Sequence, residues 1–152
     1  MKALIQRVTQ GRVTIDGAVH GAIGPGHVVL LGVTHGDTPE DARALAHKTV
    51  NLRIFRDDHD RMNRSIEDVA GDILVISQFT LYADTRKGNR PSFVNAAAPA
   101  VAEACYEDYI AALRQALGEA RVQTGRFGAT MQLEIHNDGP VTIELTTDAR
   151  PA

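Results

Sequence analysis

Two unbroken apolar runs in the chain, Val28–Leu31 and Ile73–Ile76, are only strand-sized. A membrane-spanning helix needs about 20 apolar residues, so neither run crosses a bilayer. Short apolar runs bounded by turn residues match strands buried on both faces. The interior must therefore form around short central strands that other elements cover. Turns punctuate the first third accordingly. Asp16-Gly17 separates Val13-Thr14-Ile15 from Ala18-Val19, and a two-residue loop of this kind needs positive φ at both positions, which marks a tight hairpin. Ala3–Thr9 alternates weakly, Gly24-Pro25-Gly26 makes the next turn, and His27–Val33 reads as a buried strand.

Two helices supply the cover. Thr38 is placed to cap the first, Pro39 suits its first turn, and Asp41 stands at the reciprocal position of a capping box. Ala42, Leu45, Thr49 and Leu52 then recur on one face. The second helix is expected over Pro99–Leu117, with a stripe of Ala102, Tyr106, Ile110, Leu113 and Leu117 and with Gly118 as its stop. Arg56–Arg64 and Ala83–Ser92 read as loops and Asp72–Leu81 as a strand. Val122–Thr124, Met131–His136 and Val141–Thr146 read as closing strands, with Asn137–Thr142 as a hairpin turn. This order predicts an α+β fold: a single compact domain over residues 1–152, with two main helices on a largely antiparallel or mixed, barrel-like sheet.

Composition narrows the function. A net charge of −3 disfavours a protein that wraps nucleic acid by bulk electrostatics and leaves room only for a local basic patch. Arg86-Lys87-Gly88-Asn89-Arg90 is the candidate patch; its plain alternative is a solvated loop. One cysteine, Cys105, excludes an internal disulfide and a cysteine-rich zinc site, and its place inside a helix suits a buried structural thiol. Met1–Arg7 lacks the features of a signal peptide, so a cytoplasmic protein without a membrane partner is expected.

The familiar catalytic constellations are missing from the sequence. There is no Gly-x-Ser-x-Gly elbow, phosphate-binding glycine loop or His-Glu-x-x-His motif. His20, His27 and His35 are too scattered for one helical metal face and read as ordinary surface or packed histidines. Ser77-Gln78-Phe79-Thr80-Leu81 is the unusual segment, because polar groups that close a buried strand need partners. It is either a strand end that satisfies itself or the edge of a pocket.

Together with Asn137-Asp138-Gly139-Pro140-Val141-Thr142, that segment resembles the signature pair of the D-aminoacyl-tRNA deacylases. The likeness extends through Met1–Val8, Gly32–Thr38, Asn51–Phe55, Tyr82–Phe93 and Thr124–Ala129, and so nearly spans the chain. The resemblance implies a homodimer with active sites at the subunit interface, acting without a cofactor or metal on the 3′ end of aminoacyl-tRNA and not on DNA. It implies a cis Gly139–Pro140 bond whose two carbonyls reach into the partner's pocket, with Arg7 orienting the turn. An L-residue would meet rigid backbone there, whereas a D-residue or glycine would not. Ser77, Gln78 and Phe79 would line the pocket. Backbone N–H groups near Phe79 and Thr80 would face the developing oxyanion, with the Thr80 hydroxyl as an alternative nucleophile. Phe127 and Met131 would pack near the terminal adenosine, and Arg86, Lys87 and Arg90 would meet phosphates. The ribose 2′-OH of the substrate would help to activate water. A relative specialised for glycyl or L-alanyl esters, and a non-catalytic tRNA-end or replication-associated binding module, are the competing readings.

Overall fold

The computed structural model describes residues 1–147. Strand β1 (Lys2–Ile15) turns through Asp16-Gly17 into β2 (Ala18–Ile23), and β3 (Gly26–Gly32) follows. Helix α1 (Pro39–Asn51), a small hairpin of β4 (Phe55–Arg56) and β5 (Met62–Arg64), and β6 (Asp72–Ser77) come next. After a 3-10 turn over Phe79–Tyr82 the chain forms helix α2 (Pro99–Leu117), then β7 (Val122–Thr124) and β8 (Gln132–Thr146).

The main sheet runs β2-β1-β3-β6-β7, with β8 also paired to β1. Strand β1 is long enough for three partners. Residues 2–8 pair with β3 and 11–15 with β2, while β8 follows it from Lys2 to Thr14. The β3–β6 and β6–β7 pairs are parallel and those of β1 antiparallel, so the sheet is mixed. It curls until its ends nearly meet: a Cβ on Gly21 of β2 would lie 3.2 Å from the Thr124 carbonyl of β7. A barrel-like closure of this kind hides edge groups that would otherwise stand unpaired.

Two cores result. Val8, Val13, Ile23, Val28, Leu74 and Ile76 fill the curl of the sheet. On the other face Ile5, Val29 and Val75 pack beneath α1 and α2. Helix α1 carries the capping box as read, with Thr38 and Asp41 exchanging bonds and Pro39 in the first turn. The Thr49 and Tyr109 hydroxyls, 2.8 Å apart and buried, fasten α1 to α2. Cys105 is buried, as its place in the helix implied, and burial pushes its thiol pKa up. No helix among the described residues is long and apolar enough to span a membrane.

Three expectations are corrected. Arg56–Arg64 is not a plain loop, because its ends pair as β4 and β5 around a turn in which Asp57 accepts from the His59 and Arg61 amides. The strand expected to reach Leu81 stops at Ser77. Asn137–Thr142 does not reverse the chain. Val8 pairs with Asn137 and Gln6 with Thr142, so residues 138–141 bulge opposite Arg7 within one continuous strand. Asn137 closes the bulge: its Oδ1 accepts from the Val141 amide at 2.7 Å, and its Nδ2 donates to the Val141 carbonyl at 3.1 Å.

The helix-side core ends in a polar row. Arg7 on β1 is paired across to His27 on β3, and His27 to Ile73 on β6. The His27 ring is fully buried, stacks on Phe55 at 5.2 Å, and finds no hydrogen-bond partner for either nitrogen. Burial lowers its pKa from 6.5 to about 4. Between those values the unfolded chain holds a proton that the folded chain does not, so stability falls as pH drops through that window. Between about pH 7 and pH 4.5 this one group should remove about 2–3 kcal/mol. Urea titrations of the wild type and His27→Phe at both pH values isolate the contribution; equal losses in the two proteins would remove His27 from the account.

Candidate active site

A cavity of about 690 Å³ opens where β6 ends. Ser77, Gln78 and Phe79 line it, as do Phe127 and Met131, so the structure brings together five of the residues singled out from the sequence. Another wall is the segment from Phe93 through Ala96, Ala97 and Ala98 to Pro99, at the start of α2. That wall was not foreseen. Its one trace in the sequence is a run of small residues, Ala96-Ala97-Ala98, whose methyl groups leave space where larger side chains would fill it.

The end of β6 is set locally. The Gln78 amide still donates to the Leu31 carbonyl at 2.8 Å, but from Phe79 the chain coils into the 3-10 turn. Gly32 on β3 permits this close approach. A Cβ there would lie 3.1 Å from Leu81 Cβ and 3.2 Å from the Gln78 carbonyl. Strand alternation therefore does not apply beyond Ser77. The first N–H groups of a helical turn have no acceptor within the turn, so those of Phe79 and Thr80 head the 3-10 segment as donors. The Gln78 side-chain amide donates to the Thr80 hydroxyl oxygen. An amide is no base, so this contact does not activate Thr80 as a nucleophile. Thr80 itself is exposed beside the cavity rather than in its lining. The Phe79 ring is 55% exposed and meets Phe93 edge-on at 5.0 Å.

Gly139 and Pro140 lie elsewhere. They sit at the exposed crest of the β8 bulge, outside the cavity lining. The peptide bond between them is cis. Gly139 has φ +139°, and a Cβ on it would lie 2.8 Å from Val141 Cγ2 and 3.2 Å from Arg7 Nη2. Beneath the crest Arg7 is 2% exposed. Its Nε donates to the Asp138 carbonyl at 3.0 Å and its Nη1 to the Ile54 carbonyl at 2.7 Å. The Asp138 carboxylate, 3.5 Å from Nε, offsets part of the buried charge. A planar guanidinium with several donors suits this task, because one side chain binds two carbonyls from separate segments.

The basic loop differs from its appearance in the sequence. Arg86 makes a two-point bond to Asp84, with Nε at 2.9 Å and Nη2 at 2.7 Å. That contact, foremost the side-chain hydrogen bond, holds the Asp84 carboxyl at about 2. Lys87 and Arg90, exposed and outside the cavity lining, remain as the cations not taken up by this acid.

A family model described as D-Tyr-tRNA(Tyr) deacylase matches residues 4–146. The chain is 56% identical to the D-aminoacyl-tRNA deacylase of Syntrophotalea carbinolica, over 95% of this chain and 96% of that one. It is 54% identical to the protein of the same name from Deinococcus radiodurans, over 95% and 99% of the two chains. Among solved structures, c-Myc DNA Unwinding Element Binding Protein superposes with a TM-score of 0.93 at 42% identity, covering 98% of this chain and all of that one. A probable eukaryotic D-amino acid tRNA deacylase shares the fold at TM-score 0.80 and 21% identity, over 95% and 97% of the two chains.

Proposed function

The chain belongs to the D-Tyr-tRNA(Tyr) deacylase family, and from that membership we propose that it hydrolyses the ester joining a D-aminoacyl group to the 3′-terminal ribose of tRNA, as a cytoplasmic homodimer. The observation that carries the reading is a division of parts. The cavity with Ser77, Gln78 and Phe79 holds no carbonyl pair of its own from the bulge, while Gly139-Pro140 stands exposed on a buried Arg7 anchor. A second copy brings the two together. The bulge of one subunit enters the cavity of the other, and its carbonyls accept from the substrate's α-amino group. The side chain of an L-residue is then directed at rigid backbone and clashes, whereas that of a D-residue is free and glycine has none. Rejection by collision needs no side chain that reads the amino acid.

The chemistry asks little of side chains. An aminoacyl ester is already activated, so holding its carbonyl near oriented donors supplies much of the rate. Water adds to the carbonyl carbon, the oxyanion faces the Phe79 and Thr80 N–H groups, and the 3′-oxygen leaves as the tetrahedral centre collapses. The substrate's neighbouring 2′-OH assists the water. Phe127 and Met131 offer an apolar surface to the terminal adenosine.

Hydrolysis of D-tyrosyl-, L-tyrosyl- and glycyl-tRNA with a chelator present tests the proposal. Loss of the D and glycyl esters with the L ester spared is expected. Equal hydrolysis of D and L would sink the account of rejection by collision, and preference for the glycyl ester over D would indicate the specialised relative. Tight binding without turnover would favour a second reading, a nucleic-acid binding module, which the likeness to a protein named for DNA binding raises. The net charge of −3 weighs against it.

Two further outcomes are expected. Thr80→Ala should lower kcat less than about tenfold, because it removes a hydroxyl and leaves the backbone donor in place. Complete loss of turnover in a folded variant would return the nucleophile role to Thr80. Lys87→Gln with Arg90→Gln should raise KM and flatten its salt dependence by about one to two phosphate contacts. Arg86→Gln should do less, since Asp84 already occupies that guanidinium. An unchanged salt slope would take the loop off the tRNA.

A further inference from the structure

The block Gly32–Thr38 belongs to the family pattern, yet nothing in the proposed chemistry uses it. Its Thr34 and His35 side chains face the cavity wall from behind. Thr34 Oγ1 donates to the Asn95 carbonyl at 2.6 Å, and His35 Nε2 lies 2.6 Å from the Val94 carbonyl. A carbonyl can only accept, so Nε2 carries the proton in this contact. The main chain adds to the hold. Thr34 bridges to Ala96, and the Ala97 amide donates to the Val33 carbonyl at 3.0 Å. Thr34 is itself held, its amide donating to Asp37 Oδ2 at 2.7 Å.

The segment gripped in this way has no regular structure until α2 begins at Pro99. Residues 93–98 form no helix or strand, only a turn closed from Ala96 N to the Phe93 carbonyl at 3.0 Å. The Val94 side chain is 71% exposed and does not anchor the turn in a core. Yet Phe93, Ala96, Ala97 and Ala98 line the cavity, and Phe93 sets the angle of the Phe79 ring through their edge-on contact. Ala97 packs against the helix-side core and the Ala98 carbonyl accepts from the Ala102 amide at 2.9 Å, so between Phe93 and Ala96 the wall holds its distance through its tethers.

We propose that Thr34 and His35 are positioning residues that clamp the Phe93–Ala98 wall and so set the width of the cavity for the nucleoside end of the substrate. This rests on the reading of that cavity as the site for the aminoacyl-tRNA 3′ end. The clamp acts on binding, since it touches neither the Phe79 and Thr80 N–H groups nor the Gly139-Pro140 crest.

Steady-state hydrolysis of D-tyrosyl-tRNA by His35→Ala, His35→Gln, Thr34→Val and Thr34→Ser provides the test, with Ala102→Phe as a variant that fills the cavity. Loss of one tether should raise KM about five- to tenfold, the change carried by a typical net hydrogen bond, and leave kcat within about twofold. Gln and Ser keep a donor at the right place and should recover most of the affinity. Thermal midpoints identify any variant whose defect is in folding. A parallel fall in kcat, or no rescue by Gln and Ser, would overturn the clamp. Unchanged KM in His35→Ala and Thr34→Val while Ala102→Phe raises it would overturn the clamp and leave the cavity reading standing. Unchanged KM in Ala102→Phe as well would overturn the cavity reading and the clamp together.

Discussion

Arg7→Ala should cost about 2–4 kcal/mol of stability, because the carbonyls of Ile54 and Asp138 lose the donor that satisfies both. It should also lower kcat/KM on a D-aminoacyl ester by about 100-fold, the scale on which a displacement of about 1 Å at a reacting group is felt. The two effects share one cause. The guanidinium lies at the end of the helix-side core, joins β1 to the segment before β4, and supports the base of the Gly139-Pro140 crest. Arg7→Lys should recover little, since a point charge on a flexible stem does not reproduce a fork that reaches two carbonyls. Asp138→Ala is the contrasting variant. Its carboxylate is half exposed and 3.5 Å away, a contact worth less than about 1 kcal/mol, and the backbone acceptor survives the change. Urea denaturation and kcat/KM for the three variants decide the matter. An Arg7→Ala protein with wild-type turnover and undiminished rejection of L-esters would separate the arginine from the crest.

Why the sequence revealed some of this and not the rest follows from the range of the interactions. Helix α1 was legible because Thr38, Pro39 and Asp41 act within one turn of each other, and α2 because its stripe repeats over about four turns. The β1–β2 hairpin was legible because Asp16 and Gly17 both have positive φ, a demand met by local chemistry. The exit from β6 was not. Polar Gln78 and Thr80 between Phe79 and Leu81 alternate as a strand would, and what ends the strand is room on Gly32 of β3 for the chain to coil. The β8 bulge failed for a related reason. Asn, Asp, Gly and Pro serve a turn or a bulge equally well, and the choice between them is made by β1, which pairs on both sides of the segment. Of the candidate site, Ser77, Gln78 and Phe79 stand out as the close of a buried strand, Phe127 and Met131 come only with family resemblance, and the cavity gathers all five. Its Phe93–Ala98 wall escaped notice because an empty volume has no residue of its own.

Gly139→Ala should leave the fold nearly intact and remove most of the activity. The residue sits at φ +139°, a conformation that L side chains rarely adopt, and its Cβ would stand 2.8 Å from Val141 Cγ2 and 3.0 Å from the Val141 amide. The backbone neighbour cannot readily yield, because the Val141 amide is held by Asn137 Oδ1 at 2.7 Å. The crest must therefore change shape, and with it the direction of the two carbonyls on which the chiral filter is proposed to depend. Because residues 138–140 are exposed and outside both cores, the loss of global stability should stay within about 1–2 kcal/mol. Turnover of a D-tyrosyl ester should fall about 100-fold or more, as expected when a binding group moves by about 1 Å. The pattern is the reverse of that expected for His27→Phe, which should alter acid stability and spare the site at neutral pH. Kinetics on paired D and L esters, read beside a urea titration, tests both halves. A stable Gly139→Ala protein that still cleaves D-esters at the wild-type rate and still spares L-esters would show that the crest is not the filter, and discrimination would then have to reside in the cavity around Phe79.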